Sequence, residues 1–234
     1  MINKIAKFLF RKIVKNNILK KKNLSQKFST IYKINYWSDS ESVSGPGSNT
    51  KNTKKLISKI KKIIKKYSIK TVVDAPCGDF NWMNKILQNQ KINYRGIDIV
   101  PALIKLNIKK FSNKKTSFYT SDITKKKLPN CDLLISRDFL FHLSYLDIKK
   151  FFKNLFNSNI KYFLTSNHAL PNQRNNFSNK DIVSGDFRKI NLFEKPFNFE
   201  KNYETIISDN CDGGEKYLIL FNKKQINLFL KNFF

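Results

Sequence analysis

The chain has 234 residues, of which 41% are hydrophobic and 14% aromatic, and this composition excludes a globally disordered protein. Its length fits one α/β domain with modest extensions and a substantial core. The net charge of +28 admits two interpretations, a surface for nucleic acid or an anionic membrane, or a coding bias that writes Lys at tolerant positions. We favour the bias, because Arg, the usual reader of bases, occurs at only five positions.

Cysteine and histidine are sparse. The three cysteines, Cys77, Cys131 and Cys211, lack the spacing of a disulfide framework or a zinc site, which favours a reducing, cytoplasmic compartment. The two histidines, His142 and His168, are too few and too far apart to predict a metal site. We therefore expect no bound metal.

Apolar residues recur at helical spacing through residues 1–22, with Lys and Arg between them. These charges exclude a cleaved signal peptide, and the segment is too short and too charged to span a bilayer. It is expected either to pack on its own domain, to form a disordered tail, or to lie as a basic amphipathic helix on the inner face of a membrane. We accordingly divide the chain into a basic helical extension, residues 1–40, and a domain, residues 41–234.

Strands and helices alternate through the domain, starting from the stretch TVVDAPCGDFNWM at residues 71–83. This pattern predicts an α/β fold, a doubly wound three-layer α/β/α sheet that is mostly parallel, with an antiparallel final pair joined near Asp212–Gly214. Asp79 or Asn81 is expected to cap the helix after the first turn, and Asn49 or Thr50 the helix before it. The predicted strands cover residues 71–73, 94–97, 117–119, 131–136, 161–166, 204–208 and 216–221, and the predicted helices cover residues 54–67, 82–87, 101–110, 145–156 and 223–234.

Three acids, Asp74, Asp98 and Asp122, each follow a predicted strand directly. They are expected to lie together at the carboxyl edge of the sheet, where parallel α/β sheets bind ligands. Asp98 comes 20 residues after the Pro-Gly turn, the spacing at which nucleotide-binding units place an acid on ribose hydroxyls.

The strand, acid and turn resemble the cofactor-binding half of class I S-adenosylmethionine-dependent methyltransferases, which carry D-x-G-x-G-x-G at this point. Asp74 and Gly78 match that pattern, whereas Pro76 and Phe80 replace its outer glycines, which argues against a pyrophosphate-containing cofactor. Together with the S-G-P-G-S loop at residues 44–48, the chain is similar to a subgroup associated with bacterial surface-polysaccharide gene clusters. In that subgroup the segment before the first strand folds over the cofactor.

The resemblance implies a Rossmann-like fold, S-adenosyl-L-methionine as cofactor and a specific set of binding residues. An acid in the position of Asp122 accepts a hydrogen bond from the adenine amino group, and Ile99 and Ile123 can enclose the adenine ring. The complete set of predicted cofactor-binding residues is Asp74, Pro76, Cys77, Gly78, Trp82, Asp98, Ile99, Asp122, Ile123 and Arg137.

Acceptor-side residues are expected after the fourth strand. Asp138 and His142, four residues apart, would share a helical face and form the base that deprotonates a hydroxyl acceptor; alternatively, Asp138 caps a turn and His142 packs beside the cofactor. His168, Asp181 and Arg188 are candidates for binding the acceptor, and residues 172–180 for a mobile loop over the site.

The predicted reaction is methyl transfer to an oxygen of a small acceptor such as a sugar or glycan precursor. Two alternatives stay open. A nucleic-acid methyltransferase would use the basic surface, although an N-P-P-Y-like motif does not follow the fourth strand. A non-catalytic binding module would keep the fold without the chemistry.

Overall fold

A computed structural model describes residues 2–171, 178–209 and 214–233. Seven helices and seven strands alternate over these residues. The helices are α1 (Ile2–Leu19), α2 (Leu24–Lys33), α3 (Thr50–Lys66), α4 (Asn81–Leu87), α5 (Pro101–Phe111), α6 (Tyr145–Phe156) and α7 (Lys223–Phe233). The strands are β1 (Thr71–Asp74), β2 (Asn93–Asp98), β3 (Thr116–Thr120), β4 (Cys131–Ser136), β5 (Ile160–Asn167), β6 (Thr205–Ser208) and β7 (Tyr217–Asn222).

The strands form one sheet in the order β3-β2-β1-β4-β5-β7-β6. β1 to β5 run parallel, and β7 lies antiparallel to both β5 and β6. The predicted fold class, a doubly wound Rossmann-like sheet with an antiparallel end, is confirmed. The strand order reverses between β1 and β4, so a crevice opens at the carboxyl ends of these two strands.

Each face of the sheet is covered by its own hydrophobic cluster. Phe151 and Phe152 of α6 and Phe229 of α7 pack on one face. Leu56 and Ile60 of α3, with apolar residues of α4 and α5, pack on the other. The strand β4 in the middle of the sheet contributes Leu134 to the first cluster and Leu133 and Ile135 to the second, because side chains alternate along a strand. These are the three expected layers.

Local differences from the sequence predictions have identifiable causes. α2 was not predicted. Phe80, in the left-handed region at φ 62°, takes the cap position of α4 in place of the expected Asp79 or Asn81. Asp79 accepts from the Asn81 N–H at 3.4 Å, and its shorter contacts are with the hydroxyls of Ser42 and Ser44 in a neighbouring loop. Asn49 caps α3, as expected. Cys211, the Asp212–Gly213 part of the β6–β7 turn and residues 172–177 of the predicted mobile loop lie outside the described residues.

Candidate active site

A deep cleft lies at the carboxyl ends of β1, β2, β3 and β4. It encloses about 1020 Å³, including its open mouth. All ten residues predicted to bind the cofactor line it, and so do Asp138 and His142. The three acids that follow separate strands therefore meet in one place.

Two of those acids, Asp74 and Asp98, form a buried pair that we call the acid pair. The Tyr94 hydroxyl donates a hydrogen bond to Asp74 at 2.9 Å. The backbone N–H groups of Gly78 and Val100 donate to Asp98 at 3.1 Å and 3.0 Å. Burial raises the pKa of Asp74 to about 7 and that of Asp98 to about 6. No cation forms a salt bridge with either carboxylate among the described residues.

The turn after β1 is built for close approach. Gly78 has φ +53°, a conformation that favours glycine, and a Cβ there would collide with the Ser44 hydroxyl. The Asn107 side chain donates to the Gly78 carbonyl at 2.8 Å and fixes the turn from α5. The positive φ and the crowding explain why this glycine is the one retained from the expected glycine-rich pattern.

Asp122, the third acid, lies at the wall of the cleft and is partly occupied by local contacts. The backbone N–H and the hydroxyl of Thr124 both donate to Asp122 Oδ1, at 3.0 Å and 2.6 Å. Its Oδ2 lies 3.7 Å from the exposed Lys125. Ile99 and Ile123 line the same part of the cleft. Asp122 thus organises its own turn and leaves Oδ2 as the oxygen available to a ligand.

The loop before α3 contacts the turn after β1. The hydroxyls of Ser42 and Ser44 donate to the Asp79 carboxylate at 2.8 Å and 3.2 Å, and the Asp79 N–H donates back to Ser44 at 3.1 Å. Gly47 contributes its carbonyl to Arg137 at 2.8 Å. The two serines therefore attach the loop to the turn after β1, and the Gly47 carbonyl attaches it to Arg137 after β4.

The roof of the cleft comes from a segment that the sequence analysis left without a role. Leu24, Phe28 and Tyr32 of α2, together with Trp37, line the cleft. The Ser25 hydroxyl donates to the Ile99 carbonyl at 3.2 Å and attaches α2 to the cofactor wall. The spacing of these apolar residues is helical, so periodicity alone could have indicated the helix.

At the cleft wall lies a largely buried group of charges, Arg137, Asp138, Asp209 and Lys216, that we call the ion cluster. Arg137 donates to both Asp209 oxygens at 2.8 Å and 2.9 Å, and Lys216 to both Asp138 oxygens at 2.8 Å and 2.9 Å. Among the described residues, two cations face two anions in this cluster. Sequence reasoning missed Asp209 and Lys216, because only the β6–β7 hairpin brings them to the end of β4.

Asp138 and His142 do not share the helical face that we expected. Asp138 has φ +54°, and residues 140–142 form a 3-10 turn. Although burial opposes it, Arg137 and Lys216 hold the pKa of Asp138 below its ordinary value. His142 Nδ1 lies 2.8 Å from the Asp186 carbonyl oxygen, and burial lowers the His142 pKa. The structure therefore gives each of the two residues a different partner.

The three candidate acceptor residues do not line the cleft. His168 Nδ1 accepts from the Ile190 N–H at 3.2 Å, and burial lowers its pKa to about 4. Asp181 accepts from the Tyr145 N–H at 2.7 Å, and Arg188 donates to the Leu143 carbonyl at 2.5 Å. Asp181 and Arg188 thus support the segment directly after His142, whereas His168 supports the backbone at Ile190. Within the described part of the chain, no group of three or more His, Cys, Asp or Glu could hold a metal ion.

Comparison with known proteins gives the fold and no closer relationship. No family model matches the chain, and no curated protein sequence matches it. The methyltransferase domain of bacterial CtHen1-C is similar in structure, with a TM-score of 0.54 and 15% identity over 73% of this chain and 98% of that domain. Human N-acetylserotonin methyltransferase in complex with SAM has a TM-score of 0.52 and 12% identity, over 89% of this chain and 56% of that one.

A third similar structure is the N-methyltransferase NodS from Bradyrhizobium japonicum WM9, with a TM-score of 0.52 and 12% identity over 75% of this chain and 98% of NodS. Identities this low establish shared architecture and leave the reaction to be argued from the site. The chain has the Rossmann-like fold of methyltransferases.

Proposed function

We propose that this chain is an S-adenosylmethionine-dependent methyltransferase that acts on an oxygen of a small acceptor, such as a sugar or glycan precursor. The observation that carries the proposal is the convergence of ten predicted cofactor residues, from the ends of β1, β2, β3 and β4 and from α4, on one cleft. The methyltransferases that share the fold, one of them in complex with SAM, support it.

The side chains in the cleft fit the proposed cofactor. Ribose hydroxyls would donate to Asp98 and stabilise the ionised form that burial disfavours. Asp122 Oδ2 would accept from the adenine amino group, and Ile99 and Ile123 offer apolar surface to the ring. The turn at Gly78 lets the backbone approach the ligand closely.

When bound, the cofactor supplies an electrophilic methyl group on a sulfonium. The protein must hold the acceptor oxygen in line with that group and remove its proton. His142 is suited to the second task. Because a carbonyl oxygen only accepts, the contact with Asp186 requires the proton on Nδ1 and leaves the lone pair on Nε2. The lowered pKa keeps the ring neutral at pH 7.

Asp138 is better suited to orient the acceptor than to take its proton. Its lowered pKa makes it a weak base, and its side chain, 25% exposed, still reaches the cleft. We therefore assign proton removal to His142 and acceptor positioning to Asp138.

The test is methyl transfer from labelled S-adenosylmethionine to a panel of nucleotide sugars and glycans. We expect a labelled acceptor with the wild type and a loss of about 100-fold or more in kcat with His142→Asn, without a change in cofactor affinity. His168→Asn, at a half-buried histidine outside the cleft, is the matched control and should retain more activity. Full activity in His142→Asn would contradict the assigned base, and cofactor binding without transfer to any acceptor would favour the non-catalytic binding module.

One observation keeps a nucleic-acid acceptor as the second candidate. Lys54, Lys61, Lys62, Lys65 and Lys91 line an open groove beside α3. The groove shares no lining residue with the cleft, which favours the small acceptor. Strongly salt-dependent binding of RNA or DNA, reduced by replacing these lysines, would reverse that preference.

A further inference from the structure

Helix α1 exposes large apolar side chains within one short stretch. Leu9 is 50% exposed, Phe10 67% and Ile13 60%. Leu9 and Ile13 are four residues apart and lie on the same face of the helix, with Phe10 next to them. An apolar patch of this kind on a protein surface marks an interaction site.

The surroundings of this patch are basic and lack acids. Arg11 and Lys12 are exposed on the same turns of the helix, and residues 20–22, all Lys, are exposed directly after it. Residues 1–38 hold ten Lys and Arg and no Asp or Glu, although the whole chain has 17 acids. A coding bias towards Lys explains an excess of Lys, but it leaves the absence of acids from one segment unexplained.

The other face of α1 is already occupied. Ile18 is 2% exposed, and Val14 and Lys15 are half-buried. Lys15 Nζ lies 2.6 Å from Asp186, the residue whose carbonyl contacts His142. The inner face therefore holds α1 on the domain, and the apolar and basic face points outward.

We propose that this outward face, Leu9–Ile13 with the lysines at residues 20–22, docks on an anionic phospholipid membrane. Leu9, Phe10 and Ile13 would enter the headgroup region, and the cations would bind lipid phosphates. The inference goes beyond methyl transfer and does not depend on it. Since α2 follows α1 directly and roofs the cleft, docking would bring that roof to the membrane surface.

Vesicle co-sedimentation of the full chain tests this proposal. The chain should bind vesicles of phosphatidylcholine with about 30% phosphatidylglycerol and should dissociate from them in high salt. It should not bind vesicles of pure phosphatidylcholine. Phe10→Glu should lower binding by about tenfold or more, because it places a charge in the apolar patch. Leu146→Glu, at a side chain 63% exposed on α6, is the matched control and should bind as the wild type.

Three results would overturn the proposal: wild type that stays in the supernatant with anionic vesicles, Phe10→Glu that binds like the wild type, or Leu146→Glu that loses as much binding. Self-association that Phe10→Glu abolishes, without vesicle binding, would assign the face to a second copy of the chain instead. Titration of the same samples with S-adenosylhomocysteine separates this proposal from the proposed function, because Phe10→Glu should keep the wild-type affinity for it.

Discussion

The acid pair and the ion cluster lie at the same edge of the sheet and differ in how their charges are compensated. In the ion cluster, Arg137 and Lys216 face two carboxylates, and together they hold the pKa of Asp138 down. In the acid pair, burial raises the pKa values of Asp74 and Asp98, and neutral donors are the partners. In the ion cluster the described cations already compensate the carboxylates. The acid pair has no such cation, so a ligand that brings hydrogen-bond donors would stabilise its ionised carboxylates.

The largest expected effect is a loss of stability when one carboxylate of the ion cluster is removed. Asp209→Ala would remove one of the two carboxylates that Arg137 and Lys216 contact among the described residues, and the Asp209 side chain is 0% exposed. We expect a loss of about 3–5 kcal/mol in the free energy of unfolding, measured by urea denaturation. Glu200→Ala, which removes an exposed carboxylate, should unfold as the wild type does. An Asp209→Ala protein as stable as the wild type would mean that Asp209 does not compensate the cluster.

The raised pKa values of the acid pair predict that stability falls as the pH rises. Because the folded pKa of Asp74, about 7, lies above the ordinary 3.8, the folded state holds a proton that the unfolded state releases between about pH 4 and 7. Asp74 therefore lowers stability progressively as the pH rises through that window. The free energy of unfolding of Asp74→Asn, minus that of the wild type, should therefore increase by about 2–4 kcal/mol from pH 4.5 to pH 8. Urea denaturation at the two pH values measures this difference.

The control for this titration is an acid with the opposite shift. The pKa of Asp132 is lowered to about 2: burial works against this, but hydrogen bonds from Lys161, Lys70 and Thr71 prevail. Asp132 is ionised in both the folded and the unfolded protein at pH 8, and nearly so at pH 4.5. The difference in free energy of unfolding between Asp132→Asn and the wild type should therefore change little over this range. A flat Asp74→Asn difference would contradict the raised pKa of Asp74.

A smaller effect is expected at the turn that supplies a donor to the acid pair. Gly78→Ala forces a side chain into the left-handed region and against Ser44, which should cost about 1–2 kcal/mol of stability. It should also weaken S-adenosylhomocysteine binding, because the Gly78 N–H holds Asp98 in place. Thermal unfolding and calorimetric titration measure the two effects. Gly214→Ala, where an added Cβ meets nothing within 4 Å, is the control and should change neither.

The fold could be predicted from the local pattern of apolar residues and turn formers along the sequence. All seven strands were predicted, and the bounds of β4 and α6 agree with the structure, because both elements carry continuous or periodic apolar residues between turn formers. The three acids were predicted as a group, since parallel strands end at one edge. These parts of the site depend on sequence order alone.

The rest of the site depends on contacts between distant segments. Lys216 reaches Asp138 across 78 residues, and Asp186 reaches His142 across 44. The local sequence around Asp138 and His142 does not predict these distant partners. The shared helical face expected for Asp138 and His142 was wrong for the same reason, because residues 138–142 form a turn that helical spacing does not describe.

The most direct test of the central claim, that the acid pair is completed by the cofactor, is calorimetric titration with S-adenosylhomocysteine of the wild type and Asp98→Asn. We expect micromolar binding by the wild type and an affinity about 10- to 100-fold lower for the variant, since charged hydrogen bonds to the ribose are lost. Thermal unfolding shows whether both proteins are folded. No binding by folded wild-type protein, or equal binding by the variant, would contradict the account.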